Sequence, residues 1–218
     1  MDAKPIFITA TNTDIGKTYA TLMMIDELQG LGLKVGVFKP FETGVKDFPV
    51  DGKLLFEAAQ KSNPSFKNFT LDDIVPFQYP LPAAPYVAKQ YKNIDMDILK
   101  KSYEKIALIS DIVLIEGAGG IMVPIEKEFY MYDLAKFFDA KILLVAHSKL
   151  GCINDTLLNL CLLETKGIEF EWCINIRENE EDFKKTTLPY YQDRFDKVFI
   201  LQYNLKELVQ KLISRSDA

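Results

Sequence analysis

Short continuous apolar runs alternate along this chain with longer stretches in which apolar residues recur every three to four positions. Ile6-Phe7-Ile8, Lys34 to Phe38, Ile112-Val113-Leu114-Ile115 and Lys141 to Ala146 read as buried strands, and Ile168 to Asn175 and Lys197 to Leu201 extend the series. Between them, Leu22, Met23, Ile25, Leu28 and Leu31 mark a helix ended by Gly30 and Gly32. Leu54 to Gln60 is a shorter helical pattern preceded by a polar connection that carries Asp51. Asp95 caps a helix with Met96, Leu99, Tyr103 and Ile106 on one stripe, and Leu157, Leu160, Cys161 and Glu164 read as a helix closed by Gly167. The last helix starts at Asn204, with Glu207 three residues on as in a capping box. From Ser62 to Pro85 the prolines at 64, 76, 80, 82 and 85 forbid long regular elements, and a loop of that length tends to lie over a site.

Strand, helix, strand at this spacing is a βαβ unit with parallel strands and a right-handed crossover. The whole pattern predicts an α/β fold, a P-loop NTPase-like doubly wound, mostly parallel sheet with helices on both faces, built as one domain over residues 1–218. Ligands of such sheets bind at the C-terminal ends of the strands. Thr13 to Thr18, Lys39 to Gly44, Glu116 to Gly119 and Lys149 to Asn154 each follow a strand, so they converge on one edge.

The first of these segments carries the clearest chemistry. Thr9-Ala10-Thr11-Asn12-Thr13-Asp14-Ile15-Gly16-Lys17-Thr18 leaves a strand and enters a helix whose first amides point at an anion. It reads as a phosphate-binding loop for a nucleotide, with Lys17 supplying charge and the Thr18 hydroxyl able to bind Mg²⁺; it diverges from the usual pattern in having Thr11 where glycine is expected. A helix terminus contributes about 0.3–1 kcal/mol toward an anion. That is too little to hold and activate a triphosphate, so lysines and metal must do the rest.

Composition narrows the partners. A 48% hydrophobic, 26% charged chain with formal net charge −5 suits a globular protein and argues against nucleic acid as a ligand. No apolar run approaches the ~18 residues of a membrane span, and the residues after Met1-Asp2-Ala3-Lys4-Pro5 are too few for a signal-peptide core, so the cytoplasm is the expected location. Cys152, Cys161 and Cys173 form no Cys-x-x-Cys pair and indicate neither a disulfide framework nor a zinc site; Cys161 and Cys173 read as core. His147, the sole histidine, reads as structural or solvated, and Glu178-Glu180-Glu181-Asp182 as a solvated face.

Taken together, Thr11 to Thr18, Lys39-Pro40 with Thr43-Gly44, Asp51, Glu116-Gly117-Ala118-Gly119-Gly120 and Lys149-Leu150-Gly151-Cys152-Ile153-Asn154 resemble the dethiobiotin synthetases, in the right order and over most of the chain. The last two segments are the specific ones. The resemblance implies a cyclo-ligase that closes a cyclic urea on 7,8-diaminononanoate with CO₂ and ATP, releasing ADP and phosphate. It implies Thr18, Asp51 and Glu116 as Mg²⁺ ligands, and Thr13, Asp14, Ile15, Gly16, Lys17, Thr18, Glu116, Gly117, Ala118, Gly119 and Asn175 around the nucleotide. Lys17 and Lys39 become the catalytic lysines, with Lys39 and Thr43 at the substrate. Gly151, Cys152, Ile153 and Asn154 would hold the substrate's distant carboxylate across a homodimer interface, and Pro82-Ala83-Ala84-Pro85 would help to exclude water.

Two departures from that family pattern bear on the base. Where relatives carry Asn-Asp to read adenine, Asn175 is followed by Ile176, and a Gly-x-Ile-Pro turn is replaced by Leu201-Gln202-Tyr203-Asn204. Weak discrimination between nucleoside triphosphates is the expectation. Two alternatives share the loop: a partitioning or septum-positioning ATPase switch, which would carry a second lysine where Ala10-Thr11-Asn12 stands, and an amide-forming ligase with a glutamine-hydrolysing domain, for which this length leaves no room. A dinucleotide-binding oxidoreductase would want Gly-x-Gly-x-x-Gly after the first strand, which is absent.

Overall fold

Every position of the first strand, β1 (Ile6–Ala10), is buried, which requires cover on both faces of the sheet. The computed structural model describes residues 4–214. After β1 come α1 (Lys17–Gly30), β2 (Val35–Phe38), β3 (Phe41–Thr43) and α2 (Val50–Ser62). A 3-10 turn at Pro64–Asn68 leads to α3 (Leu71–Ile74), β4 (Phe77–Tyr79), α4 (Pro85–Ala88) and α5 (Met96–Ala107). The second half runs β5 (Ile112–Gly120), β6 (Pro124–Glu126), β7 (Phe129–Tyr130), α6 (Met131–Phe137), β8 (Lys141–His147), α7 (Cys152–Thr165), β9 (Phe170–Asn175), α8 (Glu180–Thr186), α9 (Leu188–Arg194) and α10 (Leu201–Ile213).

The main sheet has the order β2-β5-β1-β8-β9, and all its pairings are parallel. β1 is therefore central, and the loop it delivers emerges between the ends of β5 and β8. The aliphatic faces of β1, β5 and β8 pack into one apolar cluster with Ala20, Met24, Ile25 and Leu28 of α1. α1 packs against α2 and α10, while α5 lies on β2 and β5 and α7 on β8. No described helix is long and apolar enough to cross a membrane.

The doubly wound sheet is the predicted one, with differences of detail. The buried stripe of α1 is Lys17, Ala20, Thr21, Met24, Ile25 and Leu28, whereas Leu31 is exposed just past the helix end. Leu54 to Gln60 is the middle of the longer α2, so Asp51 sits in the first turn of a helix and not in a connection. The turn expected at Lys39 to Gly44 contains β3, which pairs in parallel with β4 from the proline-rich segment. Stacking of Phe41 on Phe77, 5.3 Å between centroids, helps to hold that pair.

Lys197 to Leu201 forms no described strand; only an Ile174–Ile200 bridge remains, and α10 already begins at Leu201. Asn204 lies at a kink in that helix, where its Oδ1 accepts from the Ile200 N–H at 3.1 Å. Glu207 pairs with Lys197 and closes no capping box. Asp95 does cap α5, accepting from the Asp97 N–H. Cys173 is core, but Cys161 is exposed. Glu180, Glu181 and Asp182 occupy the first turn of α8, where acidic groups favour the positive helix end. Met1 to Ala3, part of the expectation about the N-terminus, lie outside the described residues, as do residues 215–218.

Candidate active site

The loop between β1 and α1 owes its shape to one glycine and two outside hands. Gly16 has φ +96°, and a Cβ there would stand 2.4 Å from Asn175 Nδ2, so neither backbone nor space admits a side chain. Asn175 Nδ2 donates to the Ile15 carbonyl at 2.8 Å, and Arg177 Nη1 donates to the Asp14 carbonyl at 2.7 Å. Asp14 itself takes φ +58°. No side chain caps α1 and no acid stands in its first turn, which leaves its leading amides to an anion.

Lys17 opens α1 with only 9% of its surface exposed. Burial, reinforced by the Lys39 charge, lowers its pKa to about 8 despite opposing carboxylates. Beneath it, Glu116, expected just past its strand, lies within the buried stretch of β5 and is 1% exposed. A carboxylate there must be paired. Lys39 Nζ donates to Glu116 Oε1 at 2.7 Å, Thr18 Oγ1 to the same oxygen at 3.0 Å, and Thr21 Oγ1 to Oε2 at 2.7 Å. Lys39 is held from its backbone too, its N–H donating to the Ile74 carbonyl at 2.9 Å. Burial opposes the Lys39 charge, but Glu116 and then Asp51, 4.0 Å away, outweigh it and raise the pKa.

Lys17, Thr18, Lys39 and Asp51 face one cavity of about 320 Å³, whereas Glu116 and Thr21 do not line it. It is lined by Thr13, Asp14, Gly16, Lys17, Thr18, Lys39, Thr43, Asp51, Gly117, Ala118 and Gly119 from the expected set, and also by Phe41, Glu42 and Arg177. A second cavity of about 330 Å³ shares Thr13, Thr43, Ala118 and Gly119 with it and is walled by Pro82, Ala83, Ala84 and Pro85. Four chain segments distant in sequence are thus brought together.

Other expected residues lie apart. Gly151, Cys152, Ile153 and Asn154 line neither cavity. They form the start of α7, which has no side-chain cap; Leu150 beside them is exposed, and burial pushes the Cys152 thiol upward. Ile15 and Asn175 face a third cavity of about 610 Å³ with His147, Lys149, Asp155, Arg177 and Glu178. His147 is pinned in its wall: the Lys149 N–H donates to Nδ1 at 3.2 Å, so the proton is on Nε2, 3.0 Å from Asp155 Oδ2.

At the end of β9 the hydrogen-bonding groups are closed on themselves. Asn175 Oδ1 accepts from Gln202 Nε2 at 2.7 Å, and Gln202 also takes the Ile176 N–H at 3.2 Å and gives to the Ile176 carbonyl at 3.0 Å. In the sequence Gln202 stands out only as a departure from the family pattern, and Thr21, Glu42 and Arg177 do not stand out at all. Thr21 had a usable signal, since it falls four residues after Lys17 on the buried face of α1.

Among the described residues no cluster of three or more His, Cys, Asp or Glu side chains is built to hold a metal by itself. Mg²⁺ asks for less: it keeps several waters and takes one or two carboxylates with phosphate oxygens. The Thr18 hydroxyl, the Asp51 carboxylate and the Glu116 carboxylate that accepts from Thr18 form an all-oxygen set of that kind, with Thr18 and Asp51 lining the cavity.

A strand-delivered Gly-Lys-Thr loop at the centre of a parallel sheet, with a buried carboxylate on the adjacent strand, defines a P-loop NTPase. The profile of the AAA domain family matches residues 4–209. Among solved structures, the MinD cell division protein of Aquifex aeolicus superposes with TM-score 0.54 at 21% identity, over 96% of this chain and 87% of that one, a likeness of fold. The ATP-dependent dethiobiotin synthetase of Sulfurovum sp. (strain NBC37-1) is 44% identical over 206 residues, 94% of this chain and 96% of the relative. That of Wolinella succinogenes is 37% identical over 214 residues, 97% and 99% of the two chains. The chain belongs to the ATP-dependent dethiobiotin synthetase family, and with it to the ATP-dependent ligases.

Proposed function

We propose that residues 1–218 act as one P-loop ligase domain that closes a cyclic urea from 7,8-diaminononanoate and CO₂ at the expense of ATP. The observation that carries this reading is the buried Lys39 ammonium, which faces the same cavity as the loop lysine Lys17. Phosphoryl transfer is mostly positioning and charge stabilisation. Two buried lysines on one cavity supply both without any base of special pKa.

In this reading Lys17 and the amides of residues 13–18 hold the triphosphate. Lys39, with Thr43 beside it, orients the carbamate formed when one amine takes CO₂ and neutralises charge as the carbamate oxygen attacks the γ-phosphate. The second amine then displaces phosphate from the mixed anhydride, and Pro82 to Pro85, rigid walls of the adjoining cavity, keep water from doing so first. Thr18, Asp51 and Glu116 would hold Mg²⁺, which when bound stabilises charge on the transferring phosphoryl group. In a homodimer, the uncapped start of α7 at Gly151 to Asn154 would meet the far carboxylate of a substrate lodged in the partner subunit.

Phosphate release, measured with ATP, bicarbonate and diaminononanoate each omitted in turn, tests the proposal. Release that requires all three is expected. Equal release without the diamine would instead assign the chain to the switch ATPases with which it shares its fold.

A further inference from the structure

Helix α2 begins without a cap of its own. Its N-cap residue is Pro49, whose side chain has no oxygen to offer, although such a position normally supplies one to the N–H groups two and three residues on. Those N–H groups belong to Asp51 and Gly52. Both donate to a single carboxylate from another element: Asp51 N to Glu42 Oε1 at 3.0 Å and Gly52 N to Glu42 Oε2 at 2.8 Å. Glu42 projects from β3 and is 8% exposed.

The fit is close. A Cβ on Gly52 would stand 3.2 Å from Glu42 Oε2 and 2.2 Å from Val75 Cγ2, so glycine is what lets the amide approach the carboxylate. Asp51 in turn stands 4.0 Å from Lys39 Nζ, with roughly half of its side chain exposed. An exposed aspartate at a fraying helix end would sample many positions. Fastening its own N–H restricts it to one wall of the cavity.

We propose that Glu42 is a positioning residue that holds Asp51 in place for the divalent cation by capping α2 from the neighbouring strand. The proposal rests on the reading of Asp51 as a metal ligand. Glu42 lines the cavity, but both of its carboxylate oxygens are engaged by backbone amides of α2. The chain thus divides two tasks between two acids, one anchoring the helix and one left free to coordinate.

The test measures Mn²⁺ affinity by electron paramagnetic resonance on the protein saturated with a non-hydrolysable ATP analogue, beside analogue affinity in EDTA. Loss of a supporting group around a metal ligand typically costs 10- to 100-fold in metal affinity. Glu42→Gln keeps one acceptor and is expected to weaken Mn²⁺ binding about 10-fold, with affinity for the analogue in EDTA unchanged. Asp51→Asn is expected to weaken Mn²⁺ binding as well, and the Glu42→Gln/Asp51→Asn double variant to lose no more than Asp51→Asn alone. If Asp51→Asn binds Mn²⁺ normally, the metal reading of Asp51 is wrong and the proposal goes with it. If Asp51→Asn is weakened but Glu42→Gln is not, or if the two losses add in full, the positioning role alone is overturned. Equal weakening of analogue binding in EDTA also overturns it, since that would mark general damage to the loop.

Discussion

The phosphate-binding loop is gripped from two sides by different chemistry. Beneath it lies a charged cluster, with Lys39, Thr18 and Thr21 converging on Glu116 and Asp51 near by. Beside it lies a neutral one, in which Asn175, Ile176 and Gln202 exchange amide hydrogen bonds and Asn175 passes one on to the loop. Both satisfy the rule that buried polar groups must be paired, but only the charged side leaves capacity over: Lys17 is buried, and no described side chain pairs with it. The neutral side has spent its hydrogen bonds on itself. Unspent charge belongs where a ligand arrives charged, and closed amides belong where the task is to hold the frame.

The largest effect should come from cutting the charged side at its centre. Lys39→Met removes a buried lysine facing the cavity beside the loop, and kcat should fall about 10²- to 10³-fold, the scale of losing one charge-stabilising donor. The same change strands Glu116 without its cation, and breaking a buried pair costs about 3–5 kcal/mol. Adding Glu116→Gln should recover most of the melting temperature and none of the activity. Recovery of both in the double variant would reduce Lys39 to a structural counter-ion.

Lys17 sharpens the comparison through pH. With a pKa of about 8, Lys17 loses its charge, and with it the attraction proposed for phosphate, as pH rises above 8. Affinity for a nucleoside triphosphate should therefore drop about tenfold per pH unit above that value, with proton uptake on binding visible by calorimetry in two buffers. Stability runs the other way. The folded pKa lies below the ordinary 10.5, so the folded state binds fewer protons between about 8 and 10.5, and this term makes stability rise with pH across that window. Below it the charge is held at a cost of up to about 3 kcal/mol. Lys17→Met should thus raise the melting temperature of the ligand-free protein at pH 7 by several degrees while abolishing tight nucleotide binding. A lower melting temperature would mean that the ammonium is paid for by contacts within the protein.

The charged side was largely legible in the sequence, because polar residues in or just after aliphatic runs have few destinations: Lys17, Thr18, Lys39 and Thr43 meet on one cavity, and Glu116 pairs with Lys39. What escaped was support supplied across the fold. Glu42 looks like any polar turn residue until β3 pairs with β4 and aims it at α2, and neither short strand has a periodicity long enough to announce itself. The sixth strand failed for a related reason. Lys197 to Leu201 has the composition of a strand, but only Ile200 makes a bridge to β9 before α10 begins. Local pattern names the elements that pack on their own faces, and it misses those that exist only because a distant segment pairs with them.

The neutral side yields the smallest and most specific expectation. A site built to hydrogen-bond a substrate group rejects analogues that lack it by about 10⁴–10⁵, but that power needs unspent donors and acceptors. Here the Ile176 N–H and carbonyl and Asn175 Oδ1 all terminate on Gln202. ATP and GTP should accordingly differ by less than about tenfold in kcat/KM, the scale of one ordinary hydrogen bond. Gln202→Ala opens three bonds at once; it should cost about 1–3 kcal/mol in stability and, by loosening Asn175 from the loop, raise KM for both nucleotides by the same factor. A wild-type preference for ATP above 10²-fold would mean that the base is read by groups elsewhere than this strand end. A change in the ATP-to-GTP ratio on Gln202→Ala would mean that the closed amides open to meet the base, and the contrast between a spent side and an unspent one would then hold only for the empty protein.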